Sequence, residues 1–541
     1  MPASEKTAMS EAQMPPSEPT IKVEDIASAE KLIGLNFSET EREQLLENVN
    51  ERAKAYEKMR ATPLENSVAP ALYFNPRLPT PIERNVPFSY RMIDQRPVTR
   101  PSNLEHLAFA PMTQLAELIR TRQVTSLELT EMYLERLKRF DPILHCVVTL
   151  TEDIAYEQAK QADAEIEAGH YRSPLHGIPW GVKDLFAVRG YPTTWGAEPY
   201  REQVIDTNAT VVERLEAAGA VLVAKLTLGA LAYGDICFDT LTRNPWNPEE
   251  GSSGSSAGSA SAVAAGLVGF AMGTETLGSI VSPSARCGVT GLRPTFGRVS
   301  RYGAMALSWS MDKAGPMARS VEDCALIFSA IYGPDGRDAV VVDAPFEWNP
   351  DLKARDLRVG YVPKLFAEGT EADRAVLEVL RAQGIEPLPI TLPDDDVDPL
   401  VLILNVEAAA AFDDLTRSNQ DDLLTWQDKE AWPNSFRASR FISAVEYIQA
   451  NRMRTLVMRK MAAVMQTVDV FVAPPFSGNT LVLTNLTGHP AVVLPNGFNE
   501  KGSPTSTAFI GNLDREAEVL AVAKVYQDAT DFHLKQPPIN G

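Results

Sequence analysis

A Gly- and Ser-rich segment at residues 251–266 runs directly into an apolar segment, and this combination could hold nucleophilic hydroxyl groups. Ser255 lies in the first part, and Ser279 follows the apolar run. The residues before Ser279, namely Thr276, Leu277 and Gly278, can present successive backbone N–H groups in a tight turn. Such groups stabilise the oxyanion that forms when a hydroxyl attacks a carbonyl carbon. The pattern indicates acyl-transfer chemistry, with Ser279 as the candidate nucleophile.

The same segment has other interpretations. A Gly/Ser run is commonly a flexible linker, and Gly-rich loops can also bind phosphate. A linker does not explain the apolar continuation, and the Lys followed by Ser or Thr that phosphate loops use is missing. A single serine such as Ser279 can serve only as a helix cap or turn residue. The interpretation therefore depends on a nearby base.

The sequence offers lysine rather than histidine as this base. None of the six histidines combines with an Asp and a GxSxG elbow. Lys183 ends the segment GIPWGVK, in which apolar residues alternate onto one face and the lysine onto the other. Loss of solvation there should lower the lysine pKa until the amine can accept a proton. Lys225 is a rival, and Lys183 could instead reach solvent or pair with Asp184. The local sequence does not decide between the two lysines.

The surrounding elements should bring these residues together. A helix over 257–267 rises about 16 Å, and a strand over 269–273 returns about 16 Å, which puts Ser255 and Ser279 near one end of a sheet. Segments 177–182 and 220–224 look like strands joined by a helix. We predict an α/β fold with a large mixed, mostly parallel central sheet covered by helices on both faces.

Composition and charge limit the classes of protein. The chain has 541 residues, of which 44% are hydrophobic and 23% charged, as in soluble globular proteins. Its net charge of −20 should repel phosphate backbones, so we expect no nucleic-acid partner. No apolar run is long enough to span a membrane, and the N-terminus lacks a signal-peptide centre, so we expect no membrane contact and a cytoplasmic location. The four scattered cysteines suggest no metal site.

The chain divides into regions of different composition. Ser38 with Glu41 forms a capping box ahead of an amphipathic helix, and many prolines follow this helix. Short apolar segments at 468–473 and 491–494 should return to the sheet before a terminal helix near 516–527. We predict a disordered tail (1–22), an N-terminal helical and Pro-rich strap (23–110), and a main domain (111–535) with a helical cover around 345–465.

Taken together, these segments resemble the amidase signature family over residues 113–527. GIPWGVKDLF is similar to its lysine segment, GSSAGSASAVAAG to its Gly/Ser segment and GTETLGSI to its nucleophile turn, and the flanking blocks TRNPWNP, CGVTGLRPTFGRVS and GHPAVVLPNGF follow in order. The resemblance implies the amidase signature fold and a triad of nucleophile Ser279, proton bridge Ser255 in a cis conformation, and base Lys183. It implies no metal or organic cofactor.

The resemblance also implies an activity. This is hydrolysis of an amide, with esters or carbamates as further candidates, through an acyl-enzyme on Ser279. The expected partner is a small-molecule amide, and the strap leaves a homodimer open. Two alternatives remain, namely the amidase subunit of a transfer-RNA-dependent amidotransferase and a binding homologue without turnover. Candidate substrate contacts are Tyr233, Asp235, Trp309 and Met311.

Four positions depart from the family pattern. Glu275 replaces the usual Asp, Leu277 the usual Gly, Val281 the usual Arg and Ala257 a common Gly. Leu277 should narrow the site beside the oxyanion hole. Without an Arg at position 281, the Glu275 carboxylate must be paired elsewhere or protonated. These changes leave the class of substrate open.

Overall fold

The computed structural model describes residues 21–62, 64, 71–72, 98–349 and 352–540. Within these ranges, eleven strands form one sheet and two strand pairs form small hairpins. The strands are β1 (Val147–Leu150), β2 (Pro179–Lys183), β3 (Val221–Leu226), β4 (Ile236–Cys237), β5 (Thr240–Leu241), β6 (Arg243–Asn244), β7 (Asn247–Gly251), β8 (Phe270–Glu275), β9 (Thr290–Arg293), β10 (Lys313–Ala318), β11 (Val359–Tyr361), β12 (Leu388–Pro389), β13 (Val470–Ala473), β14 (Ala491–Phe498) and β15 (Pro504–Gly511).

The helices begin and end at local signals that the sequence contains. Ser38 Oγ accepts a hydrogen bond from the Glu41 N–H, and the Glu41 carboxylate accepts one from the Ser38 N–H.

No helix in the described ranges is both long and apolar enough to cross a bilayer. The helices are α1 (Val23–Ile33), α2 (Glu39–Arg60), α3 (Met112–Arg120), α4 (Ser126–Leu144), α5 (Glu152–Glu167), α6 (Thr210–Ala217), α7 (Ala257–Ala264), α8 (Val281–Cys287), α9 (Val321–Ile331), α10 (Pro363–Glu368), α11 (Glu371–Ala382), α12 (Leu402–Ala411), α13 (Asp413–Arg417), α14 (Trp432–Ser439), α15 (Ala444–Met465), α16 (Thr480–Leu486) and α17 (Glu516–Asp528).

The central sheet is mixed, as the sequence predicts. Its strand order is β1-β3-β2-β8-β10-β9-β14-β15-β13-β11-β12. Four neighbouring pairs are parallel and six are antiparallel, which corrects the expected parallel majority. Short connections such as the one between β14 and β15 explain the difference, because only antiparallel neighbours can be joined without a long crossover.

Helices cover both faces of this sheet. Along β3, Leu222 packs into one apolar cluster, whereas Val221 and Val223 pack into another. This is the alternation expected for a strand buried on both faces. Helices α6, α9 and α17 contribute to the first cluster, and α5 and α7 to the second. The arrangement confirms the α/β class and the helical layers on both sides.

The two N-terminal helices pack against the main body. Ile26, Leu45 and Val49 of α1 and α2 form a small apolar cluster with Ala438 of α14. Most of the predicted tail at 1–22 and most of the Pro-rich segment at 63–101 lie outside the described residues. The division into tail, strap and main domain stays a prediction.

The segment around 345–465 contains more than helices. It includes α10 to α15, but also β11 and β12, which extend one edge of the central sheet. β11 pairs in parallel with β13, and β12 in parallel with β11. Strands of two or three residues are too short to give a period-2 pattern in the sequence. The sequence therefore does not predict these edge strands.

Candidate active site

Lys183 ends β2, and its side chain is fully buried. Its Nζ lies 2.8 Å from Ser255 Oγ, 2.9 Å from Thr274 Oγ1 and 3.1 Å from Ser256 Oγ. All three neighbours are hydroxyl groups, which can accept a proton from the amine or donate one to it. The amine is therefore positioned to exchange a proton with Ser255.

The surroundings of Lys183 favour its neutral form. Burial lowers the pKa of Lys183 to about 7, although the charges of Asp312 and Glu275 act in the opposite direction. An amine with this pKa is neutral in a large fraction of molecules near pH 7. Because a neutral amine has a free lone pair, it can accept a proton that an ordinary lysine ammonium cannot.

Lys225 has different surroundings. β2 and β3 are parallel neighbours, and their register pairs Lys225 with Val182, the residue before Lys183. Successive side chains of a strand point to opposite faces, so the two lysines lie on opposite faces of the sheet. Lys225 Nζ lies 2.7 Å from Asp184 Oδ1, and both side chains are fully buried. Lys225 is thus engaged in an ion pair with Asp184.

Ser255 lies two residues before α7 and is buried. The peptide bond between Gly254 and Ser255 is cis, as the family resemblance implied. A Cβ atom at Gly254 would lie 1.8 Å from the carbonyl oxygen of Gly234. Only glycine can approach another backbone this closely. The Gly/Ser composition of this segment therefore reflects close packing around Ser255 and not a flexible linker.

Ser279 lies in the turn between β8 and α8. Gly278 has a φ of 93°, a conformation that favours glycine. The Ser256 N–H donates to the Ser279 carbonyl oxygen at 3.2 Å, which ties this turn to the Ser255 segment. Within the described part of the chain, the N–H groups of Leu277, Gly278 and Ser279 have no protein acceptor. These donors remain available for a ligand oxygen.

The Glu275 carboxylate fixes the end of the same turn. Its Oε2 accepts hydrogen bonds from the N–H groups of Ile280 at 2.8 Å and Val281 at 2.9 Å. These two residues directly follow Ser279 and lead into α8. Glu275 is itself the last residue of β8 and fully buried. The carboxylate therefore holds the turn that carries Ser279 at a fixed distance from the strand.

Glu275 is ionised although it is buried. Arg293 Nη1 lies 2.8 Å and Asn485 Nδ2 lies 2.9 Å from Glu275 Oε1. Burial raises the pKa of Glu275, but the charges of Arg293 and Lys313 and the hydrogen bonds outweigh it and lower the pKa to about 2. The carboxylate left without an Arg at position 281 is thus paired with Arg293. The sequence does not identify Arg293 as this partner. Its position at the end of an apolar segment is the one feature that could have indicated it.

A cavity of about 1120 Å³ lies beside these groups. Ser255, Ser279 and the three preceding turn residues line it, whereas Lys183 is not part of the lining. A ligand in the cavity can therefore reach Ser279 directly and Lys183 only through Ser255. This volume slightly exceeds the usual range for small-molecule sites, about 300–1,000 Å³.

These features have a counterpart among known proteins. A family model described as Amidase matches residues 128–481, more than half of the chain, and this range includes Lys183, Ser255 and Ser279. The chain belongs to the amidase family. The membership confirms the resemblance carried by the lysine, Gly/Ser and nucleophile segments.

Individual relatives support the same assignment. A glutamyl-tRNA(Gln) amidotransferase subunit from Roseiflexus castenholzii is 35% identical over 481 residues, which cover 79% of this amidase and 97% of that relative. The peptide amidase of Stenotrophomonas maltophilia is 29% identical, with a TM-score of 0.71 over 80% of this amidase and 99% of that chain. A bacterial aryl acylamidase of the amidase signature family has a TM-score of 0.71 over 79% of this amidase and 99% of that chain. It is 22% identical, so it supports the fold alone.

The relatives correct one prediction from composition. From the net charge we expected no nucleic-acid partner, and this expectation is wrong. A relative that is 35% identical to this amidase is named as one subunit of a glutamyl-tRNA(Gln) amidotransferase. Net charge averages over the whole surface, whereas contact with a nucleic acid or with another protein chain depends on a local patch. The −20 charge therefore does not exclude such a partner.

The predicted substrate contacts fall into two groups. Tyr233 and Asp235 line the cavity, but Trp309 and Met311 do not. Met311 is 1% exposed and packs in the apolar core. Trp309 is half exposed, and its carbonyl oxygen accepts a hydrogen bond from Arg301 Nη1 at 2.7 Å. The structure thus places these two residues away from the cavity.

A buried carboxylate, that of Asp312, explains the course of the preceding segment, which contains Trp309 and Met311. Asp312 Oδ2 accepts hydrogen bonds from the N–H groups of Leu307 and Ser308 at 2.8 and 2.9 Å. This turn brings Leu307 to the cavity and directs the following residues away from it. Nothing in the local sequence pattern distinguishes Leu307 from its neighbours as a wall residue.

Several wall residues come from the segment around 345–465. Trp432 begins α14 and lines the cavity, and Glu430 precedes it. Asp373 of α11 also belongs to the lining. The sequence predicts a helical cover here but identifies none of these wall residues. Which side chains of this segment reach the cavity depends on how the segment folds against the rest of the chain.

Proposed function

We propose that this amidase hydrolyses a carboxamide through an acyl-enzyme on Ser279, with Ser255 as proton bridge and Lys183 as base. The 2.8 Å contact between Lys183 Nζ and Ser255 Oγ, at the wall of a cavity that also exposes Ser279, carries the proposal. A lysine outside the cavity needs an intermediate group to take a proton from a nucleophile inside it. Ser255 is the hydroxyl in that position.

The proposed reaction has two halves. Ser279 Oγ forms a bond to the carbonyl carbon, its proton moves to Ser255, and the Ser255 proton moves to neutral Lys183. The tetrahedral intermediate then breaks its C–N bond, and the proton returns through Ser255 to the leaving nitrogen. Water repeats the same relay on the acyl-enzyme and releases the acid and free Ser279. The proton count is unchanged after each half.

The turn before Ser279 supplies the oxyanion site in this proposal. Backbone N–H groups of the 276–279 turn donate to the carbonyl oxygen as it gains negative charge, and those of Leu277, Gly278 and Ser279 have no protein acceptor in the described chain. Such donors stabilise the transition state more than the ground state, and losing one typically costs about 10²–10³-fold in kcat. Esters and carbamates present the same carbonyl group, so we propose them as additional substrates.

Ammonia or amine release from a panel of amides tests the proposal. Ser279→Ala should reduce kcat more than about 10³-fold, because removing the nucleophile of a serine triad leaves only binding and the oxyanion site. Ser282→Ala is the matched control, since Ser282 also lines the cavity and its Oγ contacts Ser253 Oγ at 2.8 Å. A fluorophosphonate probe should label wild-type protein and the Ser282 variant, but not the Ser279 variant. Full activity of Ser279→Ala would refute the proposed nucleophile.

A second candidate function is the amidase subunit of a tRNA-dependent amidotransferase. The 35% identity to the Roseiflexus castenholzii amidotransferase chain favours it. In that case, glutamine would be the ammonia donor and a partner protein would be required. Affinity purification of the full chain, followed by glutaminase assays with and without copurified proteins, separates the two. Amide hydrolysis by the isolated chain supports the stand-alone enzyme, and activity only on glutamine in a complex supports the amidotransferase role.

A further inference from the structure

Three aromatic rings stand together, and two of them, Tyr233 and Trp432, line the cavity. The Tyr233 ring centroid lies 5.0 Å from that of Trp426 and 5.0 Å from that of Trp432. Trp432 Nε1 donates to the Leu231 carbonyl oxygen at 3.0 Å, and Trp426 Nε1 donates to Asp428 Oδ2 at 3.0 Å. Because both indole N–H groups are bonded, the rings are held in place. Tyr233 is 40% exposed, so this group offers an accessible aromatic surface.

The charged side chains at the same cavity are mostly negative. Of the described residues that line it, Asp235, Asp373 and Glu430 carry carboxylates and Arg286 carries the one guanidinium. Arg286 Nη2 lies 2.6 Å from Glu250 Oε2, so its charge is already compensated. Glu430 has a more distant partner, with Lys429 Nζ 3.8 Å from its Oε1. The cavity therefore has a net negative lining.

Glu430 connects the negative charge to the aromatic rings. It lies two residues before Trp432, and its charge contributes to a raised pKa of Tyr233, for which burial is the larger cause. Asp235 lies two residues after Tyr233 on the same loop, and its carboxylate accepts a hydrogen bond from the Ser253 N–H at 2.8 Å. Tyr233, Asp235, Glu430 and Trp432 all line the cavity, and we call these four residues the aromatic–acidic wall.

Aromatic faces attract cations through their quadrupole, and nearby carboxylates strengthen the attraction where water is partly excluded. An anionic substrate group would instead face carboxylates with no uncompensated cation in the described lining. We propose that the aromatic–acidic wall binds a positively charged ammonium group of the substrate. This proposal rests on the proposed function, because it names the class of amide that the cavity takes: amides bearing a cationic substituent remote from the scissile bond.

Three amides of one scaffold test the proposal. They carry a trimethylammonium group, an isosteric tert-butyl group or a carboxylate at the same position. Calorimetric titration into the Ser279→Ala variant measures binding without turnover. The ammonium amide should bind at least about 10-fold more tightly than the tert-butyl amide, which fills the same volume without charge. The carboxylate amide should bind more weakly than both.

Variants of the wall provide the second measurement. Tyr233→Leu and Glu430→Gln, each in the Ser279→Ala background, should reduce the ratio of ammonium to tert-butyl affinity several-fold. Asp206→Asn removes an exposed carboxylate outside the cavity lining and should leave the ratio unchanged. Equal binding of the two amides, tighter binding of the carboxylate amide, or no binding of any of the three would overturn the proposal.

The same compounds keep the two proposals apart. If the Ser279→Ala variant binds an amide that the wild-type protein does not hydrolyse, the result counts against the proposed function. It does not count against ammonium binding by the aromatic–acidic wall. The wild-type protein could instead hydrolyse the tert-butyl and carboxylate amides with the same kcat/KM as the ammonium amide. That result would count against ammonium binding by the aromatic–acidic wall and not against the proposed function.

Discussion

Lys225 and Asp184 form a fully buried ion pair, with 2.7 Å between Nζ and Oδ1. The pair leaves Lys183, on the neighbouring strand and the opposite face, as the lysine whose hydrogen-bond partners are hydroxyl groups. Two residues of one type at the ends of adjacent strands thus have different chemistry. Burial lowers the pKa of both amines, but Lys225 is held by a carboxylate, whereas Lys183 contacts the hydroxyl of Ser255.

The two lysines should respond differently to truncation. Lys183→Ala should abolish amide hydrolysis with a modest change in stability, because it removes the proposed base and leaves no buried charge behind. Lys225→Ala should lower the free energy of unfolding by about 3–5 kcal/mol, because it leaves Asp184 buried and unpaired. Steady-state kinetics and urea unfolding of both variants check this. Loss of activity in a stably folded Lys225→Ala protein, with Lys183→Ala active, would reverse the assignment.

The pH dependence of the reaction should follow the Lys183 amine. A proton acceptor works only in its neutral form, and the pKa of Lys183 is lowered to about 7. We expect kcat/KM to fall as pH decreases through about 7 and to level off above it. A neutral amide without titratable groups is the substrate for this profile. A flat profile from about pH 5.5 to 9 would contradict the role of this amine, and Lys183→Arg should be inactive throughout that range.

Glu275 should contribute stability that depends on pH. Its folded-state pKa of about 2 lies below its ordinary value of 4.5, so the stabilisation is fully present above about pH 4.5 and is lost as pH falls toward 2. The difference corresponds to about 3 kcal/mol. Glu275→Gln should be less stable than wild type at pH 7, because Arg293 loses its partner. The difference in the free energy of unfolding between wild type and Glu275→Gln should become smaller on acidification.

Urea unfolding at several pH values between 7 and 3 measures that difference. Glu378→Gln, which changes an exposed carboxylate of α11, serves as the control and should follow wild type at every pH. A constant gap between wild type and Glu275→Gln over the whole range would contradict the role assigned to the Glu275 carboxylate. The same variant should also lose kcat, since Glu275 holds the Ser279 turn.

Gly278→Ala should damage the nucleophile turn. At a φ of 93° an added Cβ is strained, and it would also lie 3.2 Å from Leu481 Cδ2. We expect a stability loss of about 1–2 kcal/mol together with a fall in kcat of about 10-fold or more, because the neighbouring N–H groups move. Gly190→Ala is the matched control, with a φ of 85° and open space around the added Cβ. It should share the stability loss and keep the wild-type kcat. Equal kcat values for both variants would argue against the turn as the oxyanion site.

The sequence by itself determined the local elements and the set of groups able to do chemistry. The capping residues before α2, the alternation ending in Lys183, and the small residues around Ser255 each act within a few positions of the chain. Such signals depend on short-range sterics and periodicity, so they can be read without knowing what packs against them. The lysine, Gly/Ser and nucleophile segments were therefore recognisable, as was the α/β class.

Only the tertiary structure decided which of these groups meet. The strand register put Lys183 and Lys225 on opposite faces, and Arg293 reached Glu275 from another strand. The turn before Asp312 directed Trp309 and Met311 away from the cavity, while Trp432 and Glu430 arrived from a distant segment. Each of these outcomes depends on contacts between residues far apart in sequence. Hydrophobic burial and ion pairing set them for the whole fold at once, and no local pattern records them.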